Sequence, residues 1–521
     1  MKFLIATLLS SALISPVFFA PAAVASEPLR WGADIESGAP YSYKSTDDPN
    51  KIIGFEADIV EALAHELGME AQFVQNKWEG LIEGLKRKDY DIVVNGLEIT
   101  PDRAQEVDFS QPYYLTSETL AVRRSTDGIT QLENLRGRRV GTLEASLAQR
   151  ILQALTYPVE IVPYSEEVHA YGDLALGRVD AVLLDEPIAL YYAKPNPELK
   201  LVGAPIGHLE YGIAMRKGEV FNRKLDEALG KLKRNGTLRA ILERWNLWNP
   251  MTADAWGMDP IRRSAPVAYE KYLQTAWKKN SWTEKWDLYI SFLPLLARGA
   301  FMTLQISMFS MALAMVVGLL TALVRLYGPR PTAWLAMAFV EVWRGTPLLI
   351  QLFLIFYGLP HLGIRLDPFT AAVLGLGLNY SACEAENYRA GILSIPKSQM
   401  EASQALGMSW GQSLKHIILP QAIRVVIPPV TNDFIALLKD SSLVSVISMV
   451  ELTTIYGQLA SAHFDYLGIG LLTAAIYFLI GLPFVRLSRY FESQLDTSIL
   501  KPRANGWGPV PEALRGMFTW R

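Results

Sequence analysis

Hydrophobic and polar positions divide this chain into two regimes. From about residue 28 to 250, short aliphatic stretches alternate with patches of helical spacing, the pattern of an α/β fold. Phe55, Ile59, Leu63 and Leu67 recur every fourth residue and predict a helix that stops at Gly68. Residues 91–95, 139–141 and 180–185 read as short strands running into turns. Ligands in open α/β sheets gather beyond the carboxyl ends of strands, so polar residues just past these segments are candidate binding groups. Beyond about residue 290 long apolar runs take over. Residues 301–324 carry no charged side chain and 466–485 are equally clean, while 333–358, 368–391 and 422–448 contain a few ions. A bilayer-crossing helix needs roughly 20 apolar residues, so the pattern predicts five membrane helices after an extracellular-type domain.

The first 25 residues have the form of a secretory signal: Lys2, an apolar stretch from Phe3 to Leu13, and the small residues Ala23-Val24-Ala25. A signal places the domain that follows outside the cytoplasm. Residues 251–287 form a linker containing Pro260, Pro266, a predicted helix around 267–277 and four tryptophans, Trp256, Trp277, Trp282 and Trp286, suited either to a membrane interface or to packing on the preceding domain. The membrane domain is expected over 288–495, with a cytoplasmic tail from 496 to 521. Lys and Arg concentrate at Arg325, Arg330, Lys397, Lys415, Arg486, Arg489, Lys501 and Arg503, which puts those loops and the C-terminus in the cytoplasm. With 49 basic and 52 acidic residues the net charge is −3, so no basic surface for nucleic acid is indicated. Cys383 is the single cysteine, which excludes an internal disulfide and a multi-cysteine metal site; no metal is expected.

One polar break carries the most specific motif. Glu401-Ala402-Ser403, Gly407 and Ile417-Ile418-Leu419-Pro420 resemble the EAA loop of ABC importer permeases, with full spacing and Ser403 in place of the second alanine. Trp410, Leu414, Ile417 and Ile418 recur at helical spacing as an apolar stripe. The resemblance implies that Glu401, Ala402, Gly407, Ile417, Leu419 and Pro420 couple the chain to a separate ATPase subunit. No G-x-x-x-x-G-K-[ST] segment occurs in this sequence, so ATP would be bound by that partner and no cofactor is expected here. Trp343-Arg344-Gly345-Thr346-Pro347, Glu384-Ala385-Glu386-Asn387-Tyr388-Arg389 and Asn432-Asp433-Phe434 are similar to permeases for polar amino acids. Ionisable residues within a span are costly and usually face a cavity or a partner, making Glu384, Glu386 and Asp433 candidates for a translocation path. Glu386 and Arg389, three residues apart, also suit a structural pair. Five helices are too few to enclose a path, so a homodimer is expected.

In the first half, Gly54-Phe55-Glu56-Ala57-Asp58, Trp78-Glu79-Gly80, Asn95-Gly96 through Thr100-Pro101-Asp102-Arg103, Asp108-Phe109-Ser110-Gln111-Pro112-Tyr113 and Asp185-Glu186-Pro187 resemble the polar amino-acid substrate-binding proteins of bacterial ABC importers. That family implies two α/β lobes (a type II periplasmic-binding-protein fold) closing on a ligand, here residues 28–119 with 212–250, and the segment between. An α-carboxylate wants a guanidinium fork and backbone N–H groups, which Arg103 and the turn at Gly96 can supply. An α-ammonium wants a carboxylate, and Asp185 stands at a strand end; Asp34 is a second candidate, or holds only its own turn. Trp78 would wall the ligand side chain, with Tyr41 or Tyr43 as a further candidate for that wall, and Ser146 would donate from the second lobe. Glu98 departs from the family's Thr or Ser. An ionised Glu cannot donate, so it either points away or engages an amine.

The sequence therefore reads as a fused binding protein and permease of an amino-acid importer in a bacterial inner membrane. Two alternatives are an amino-acid receptor with membrane helices and a cleft enzyme using His169 or Glu98. The first leaves the EAA-like loop without a role.

Overall fold

The computed structural model describes residues 27–45, 48, 51–277, 282–463 and 465–495. The expected signal segment and C-terminal tail fall outside this set.

Alternation of short strands with helices yields two five-stranded sheets, one per lobe. The first runs Glu70–Gln75, Pro28–Ala33, Ile92–Val93, Ala214–Met215, Asp108–Phe109. Its first three strands are parallel, and Ala214–Met215 enters antiparallel after the chain has visited the second lobe. The second sheet runs Leu199–Tyr211, Tyr114–Arg123, Ala181–Asp185, Arg139–Leu143, Glu160–Tyr164. The chain crosses between lobes near residues 110–113 and 212–213. The lobe border expected at 119 thus moves to about 113, because residue 119 lies inside a strand belonging wholly to the second sheet. Helix Phe55–Leu67 forms as its spacing predicts, with Phe55, Ile59 and Leu63 fully buried on its inner face. Burying such a side chain stabilises by roughly 1.5–3 kcal/mol.

The linker tryptophans divide between the two readings. Trp256 packs tilted against Trp248 with centroids 5.6 Å apart, and Trp277 packs on the binding-domain core, whereas Trp286 is largely exposed on the first long helix. That helix, Trp282–Tyr327, is 46 residues long and continues through Pro294, so helix begins before the expected domain boundary at 288. The second expected span is not straight. Arg330–Gly345 and Leu348–Leu362 meet at 107°, because Pro347 has no N–H to continue the first helix past Gly345-Thr346. Pro368–Leu393 and Leu419–Asp440 follow, the latter running on as a tighter helix Ser441–Ile447; then come a short helix, Leu452–His463, and the final helix Tyr466–Leu495. Among the described residues two helices are long and apolar enough to cross a bilayer unaided, and the bent pair makes a third. The helices of 26 and 22 residues carrying Glu384, Glu386 and Asp433 are long enough but more polar. The first of them, Pro368–Leu393, packs closely on the long helix Trp282–Tyr327: a Cβ on Gly318 of that helix would sit 2.7 Å from that of Glu384, so only glycine lets those two approach so closely.

Candidate functional site

The cleft between the lobes is built from loop residues at strand ends. Thr100 caps helix Pro101–Glu106 and Pro101 starts it, which aims Arg103 inward at 8 % exposure. The Arg103 guanidinium donates to the Glu98 carboxylate and to the Glu98 backbone oxygen at 3.2 Å, and crosses the cleft to the oxygen of Ala145 at 3.3 Å. Its flat face lies 5.4 Å from the centre of the half-buried Trp78 ring. Glu98 also reaches the second lobe, accepting from the Leu147 amide at 3.2 Å. It therefore neither points away nor meets an amine, as its replacement of Thr or Ser had suggested; it pairs with the arginine that should receive a carboxylate. Asp102 and Arg150 add a second bridge between lobes at 3.1 Å.

Three other expected ligand groups, two donors and one acceptor, are already engaged. The Gly96 amide donates to Glu56 Oε1 at 2.6 Å, so it is not open to a ligand. Ser146 caps helix Leu147–Gln153, accepting from Gln149 at 3.2 Å and donating to the Leu143 oxygen at 2.7 Å. Asp34 accepts from the amides of Glu36 (3.1 Å) and Trp78 (3.0 Å) and from Gln75 Nε2 (2.9 Å), the turn-holding role. Tyr41 bonds Tyr211 at 2.9 Å between hydroxyls, and Tyr43 packs into the core beside Trp245.

Asp185 ends its strand and receives the Tyr211 hydroxyl. Directly opposite it in register on the neighbouring strand stands Glu118, fully buried, its carboxyl against that of Asp185 and joined to it by a side-chain hydrogen bond. Burial, with Glu98 close by, pushes the Asp185 carboxyl up to about 7, and burial next to Asp185 pushes Glu118 well above the carboxylate range. Sequence reasoning missed Glu118 and Tyr211. The available signal was a lone acid inside the strand Tyr114–Arg123. His169 lies outside the cleft, its ring 4.8 Å from Tyr466 of the helical domain, which removes it as a cleft acid or base.

Both lobes rest on the helical domain. Ser448, at the end of the tight helix Ser441–Ile447, donates to Asn76 Oδ1 at 2.6 Å and accepts from the Lys77 amide at 3.2 Å. Arg365 donates to the Arg87 oxygen at 3.0 Å while Arg87 lies 4.4 Å over the Phe356 ring. On the other lobe Ser461 donates to Glu166 at 3.3 Å. Segment 75–80 thus touches the cleft through Trp78 and the helical domain through Asn76 and Lys77.

Within the helices, Glu386 sits between Arg325 and Arg389, the latter at 2.8 Å. This is the structural pairing anticipated from the spacing, now with a third member. Asp433 accepts from Asn387 at 2.8 Å, and Glu384 is fully buried nearby. The EAA-like loop forms two short helices, Lys397–Ala405 and Trp410–Ser413, joined at Gly407, whose φ of 85° favours glycine. Glu401, Ala402, Gly407 and Pro420 are exposed, and Leu406 is 85 % exposed. The apolar stripe mostly turns in, and takes the expected coupling residues Ile417 and Leu419 with it: Leu414, Ile417, Ile418 and Leu419 pack around Leu323, Leu326 and Ile392, and Trp410 meets Tyr327 at 4.7 Å. It anchors the loop, leaving the first helix and turn as the outward face.

Residues 29–247 match the bacterial extracellular solute-binding proteins, family 3, and residues 314–497 match the binding-protein-dependent transport system inner membrane component. The permease half is 40 % identical over 218 residues to the L-cystine transport system permease protein TcyB of Bacillus subtilis, covering 42 % of this chain and 93 % of that protein. It is 38 % identical over 216 residues to the glutamine transport system permease protein GlnP of Escherichia coli, covering 41 % of this chain and 97 % of that one. The first half is 32 % identical over 209 residues to the L-cystine-binding protein TcyJ of Escherichia coli, covering 40 % of this chain and 78 % of that one.

Proposed function

Because this chain belongs to the amino-acid ABC importers, carrying a family 3 solute-binding domain and an inner-membrane transport component on one polypeptide, we propose that the cleft captures a polar amino acid outside the cytoplasm and hands it to the helices beneath. The observation that carries this reading is the seating of both lobes on the helical domain, through Asn76 and Lys77 on Ser448 and through Glu166 on Ser461. Opening the lobes would release ligand directly over the helices.

In this reading Arg103 receives the α-carboxylate, Asp185 the α-ammonium, and Trp78 flanks the side chain. The relatives of both halves include L-cystine transport proteins, which makes L-cystine the first ligand to test and L-glutamine the second. The exposed turn 401–407 docks an ATPase subunit, which binds ATP, and two copies of the chain enclose the path. The basic loops and signal segment favour an outer binding domain and a cytoplasmic C-terminus. Glu384 and Asp433 line the path, whereas Glu386 locks helices together. The domains follow: signal to residue 25, trap 28–250, linker, helical domain and tail.

Reconstitution with the matching ATPase in liposomes tests the proposal. ATP-dependent accumulation of labelled L-cystine or L-glutamine supports it; binding without accumulation would favour a receptor instead.

A further inference from the structure

Each group named above as a candidate holder of a ligand carboxylate is already engaged within the protein, and Arg103 and the Gly96 amide are engaged by carboxylates. The Arg103 guanidinium and the Leu147 amide, one from each lobe, converge on the single side chain of Glu98. The remaining Arg103 contacts go to the backbone oxygens of Glu98 and Ala145. The Gly96 amide is committed to Glu56, and the Ser146 hydroxyl to Leu143. Glu98 is 3 % exposed, so water does not compete for it. A carboxylate gripped by a guanidinium below and a backbone amide above is the arrangement by which a bound amino acid would hold two lobes together.

We propose that Glu98 is a built-in competitor that fills the ligand-carboxylate seat and latches the lobes, so that an amino acid binds by exchanging its own α-carboxylate for that of Glu98. This rests on the reading of Arg103 as the carboxylate receptor. Glu98 then sets affinity rather than side-chain preference. It acts at the part all α-amino acids share, so removing it tightens every ligand by the same factor. A Glu98 that instead read a cationic side chain would favour basic ligands, and its loss would weaken those selectively.

The test measures binding of L-cystine, L-glutamine and L-arginine to the full-length chain in lipid nanodiscs, for the unaltered protein, Glu98→Gln, Glu98→Ala and Arg103→Ala, with melting curves to verify folding. A charged hydrogen-bonded competitor is worth about tenfold or more in affinity. Both Glu98 variants should therefore lower Kd about tenfold for each ligand that binds, with the order of ligands kept. In the reconstituted transporter the KM for uptake should fall without a rise in kcat. Binding seen only in the Glu98 variants also supports the latch. Unchanged or weaker binding in folded Glu98 variants, or a change confined to L-arginine, overturns it while leaving the importer reading intact. Unchanged affinity in Arg103→Ala overturns the reading on which it rests, as does binding of none of the three ligands to any variant.

Discussion

Asp185 and Glu118 face each other across two strands of the trap, carboxyl against carboxyl, with the Tyr211 hydroxyl also on Asp185. Glu386 in the helical domain lies between Arg325 and Arg389. Both clusters remove carboxylates from water, at a cost in desolvation; Glu386 is compensated by two arginines, whereas burial holds the facing pair Asp185 and Glu118 toward the protonated form. A charge balanced within the protein is architecture. An acid pair with no such cation can ionise when one arrives, and in the proposed importer that cation is the ammonium of a ligand.

The contrast yields four expectations, the largest first. Arg103→Ala should weaken amino-acid binding by about 100-fold or more, since one partner of a buried charge pair is lost; isothermal titration of the full chain reads this directly. Were binding retained, the trap would have no cation serving its ligand and the contrast would collapse. Glu386→Ala should act on stability instead. It leaves two arginines unpaired among helices, a loss of about 3 kcal/mol visible as a lower melting temperature with ligand affinity unchanged.

Asp185 gives a pH signature. Its folded-state pKa is raised, so the folded protein holds a proton there that the unfolded chain releases near pH 4. Stability from this group therefore falls as pH rises from about 4 to about 7 and is flat above. Ligand affinity runs the other way, because an ammonium needs the ionised form: it should rise about tenfold from pH 6 to pH 8 and lose that slope in Asp185→Asn. An identical slope in the variant would assign the acids to the scaffold, as with Glu386. The smallest effect is expected at the far end of the molecule. Gly407→Ala strains a left-handed turn by about 1 kcal/mol, and it should lower uptake severalfold with binding intact.

Much of the architecture was readable from spacing. The helix Phe55–Leu67, the alternation of strands and helices, and the two apolar spans depend on local periodicity, which a sequence displays openly. The coupling loop was found by its motif, but its apolar stripe turned inward because Leu323, Leu326 and Ile392, distant in sequence, cover it. The bend at Pro347 was passed over because hydropathy averages across it. The site was half legible. Arg103 and Asp185 were recognised by the chemistry a ligand needs, and they do stand in the cleft. Glu118 became visible only through strand register, which pairs residues 67 positions apart. The Glu98–Arg103 pair was hidden for a different reason: the residues are near neighbours, but only the closing of the second lobe brings Leu147 to the same carboxylate.

Asn76 and Lys77 meet Ser448 within one covalent thread. Dilution has no purchase on such a meeting, so handover proceeds by unimolecular rearrangement rather than by collision. Once assembled, each proposed transporter should then work at the same pace in a sparse membrane as in a crowded one, and no surplus of soluble receptor could hurry it.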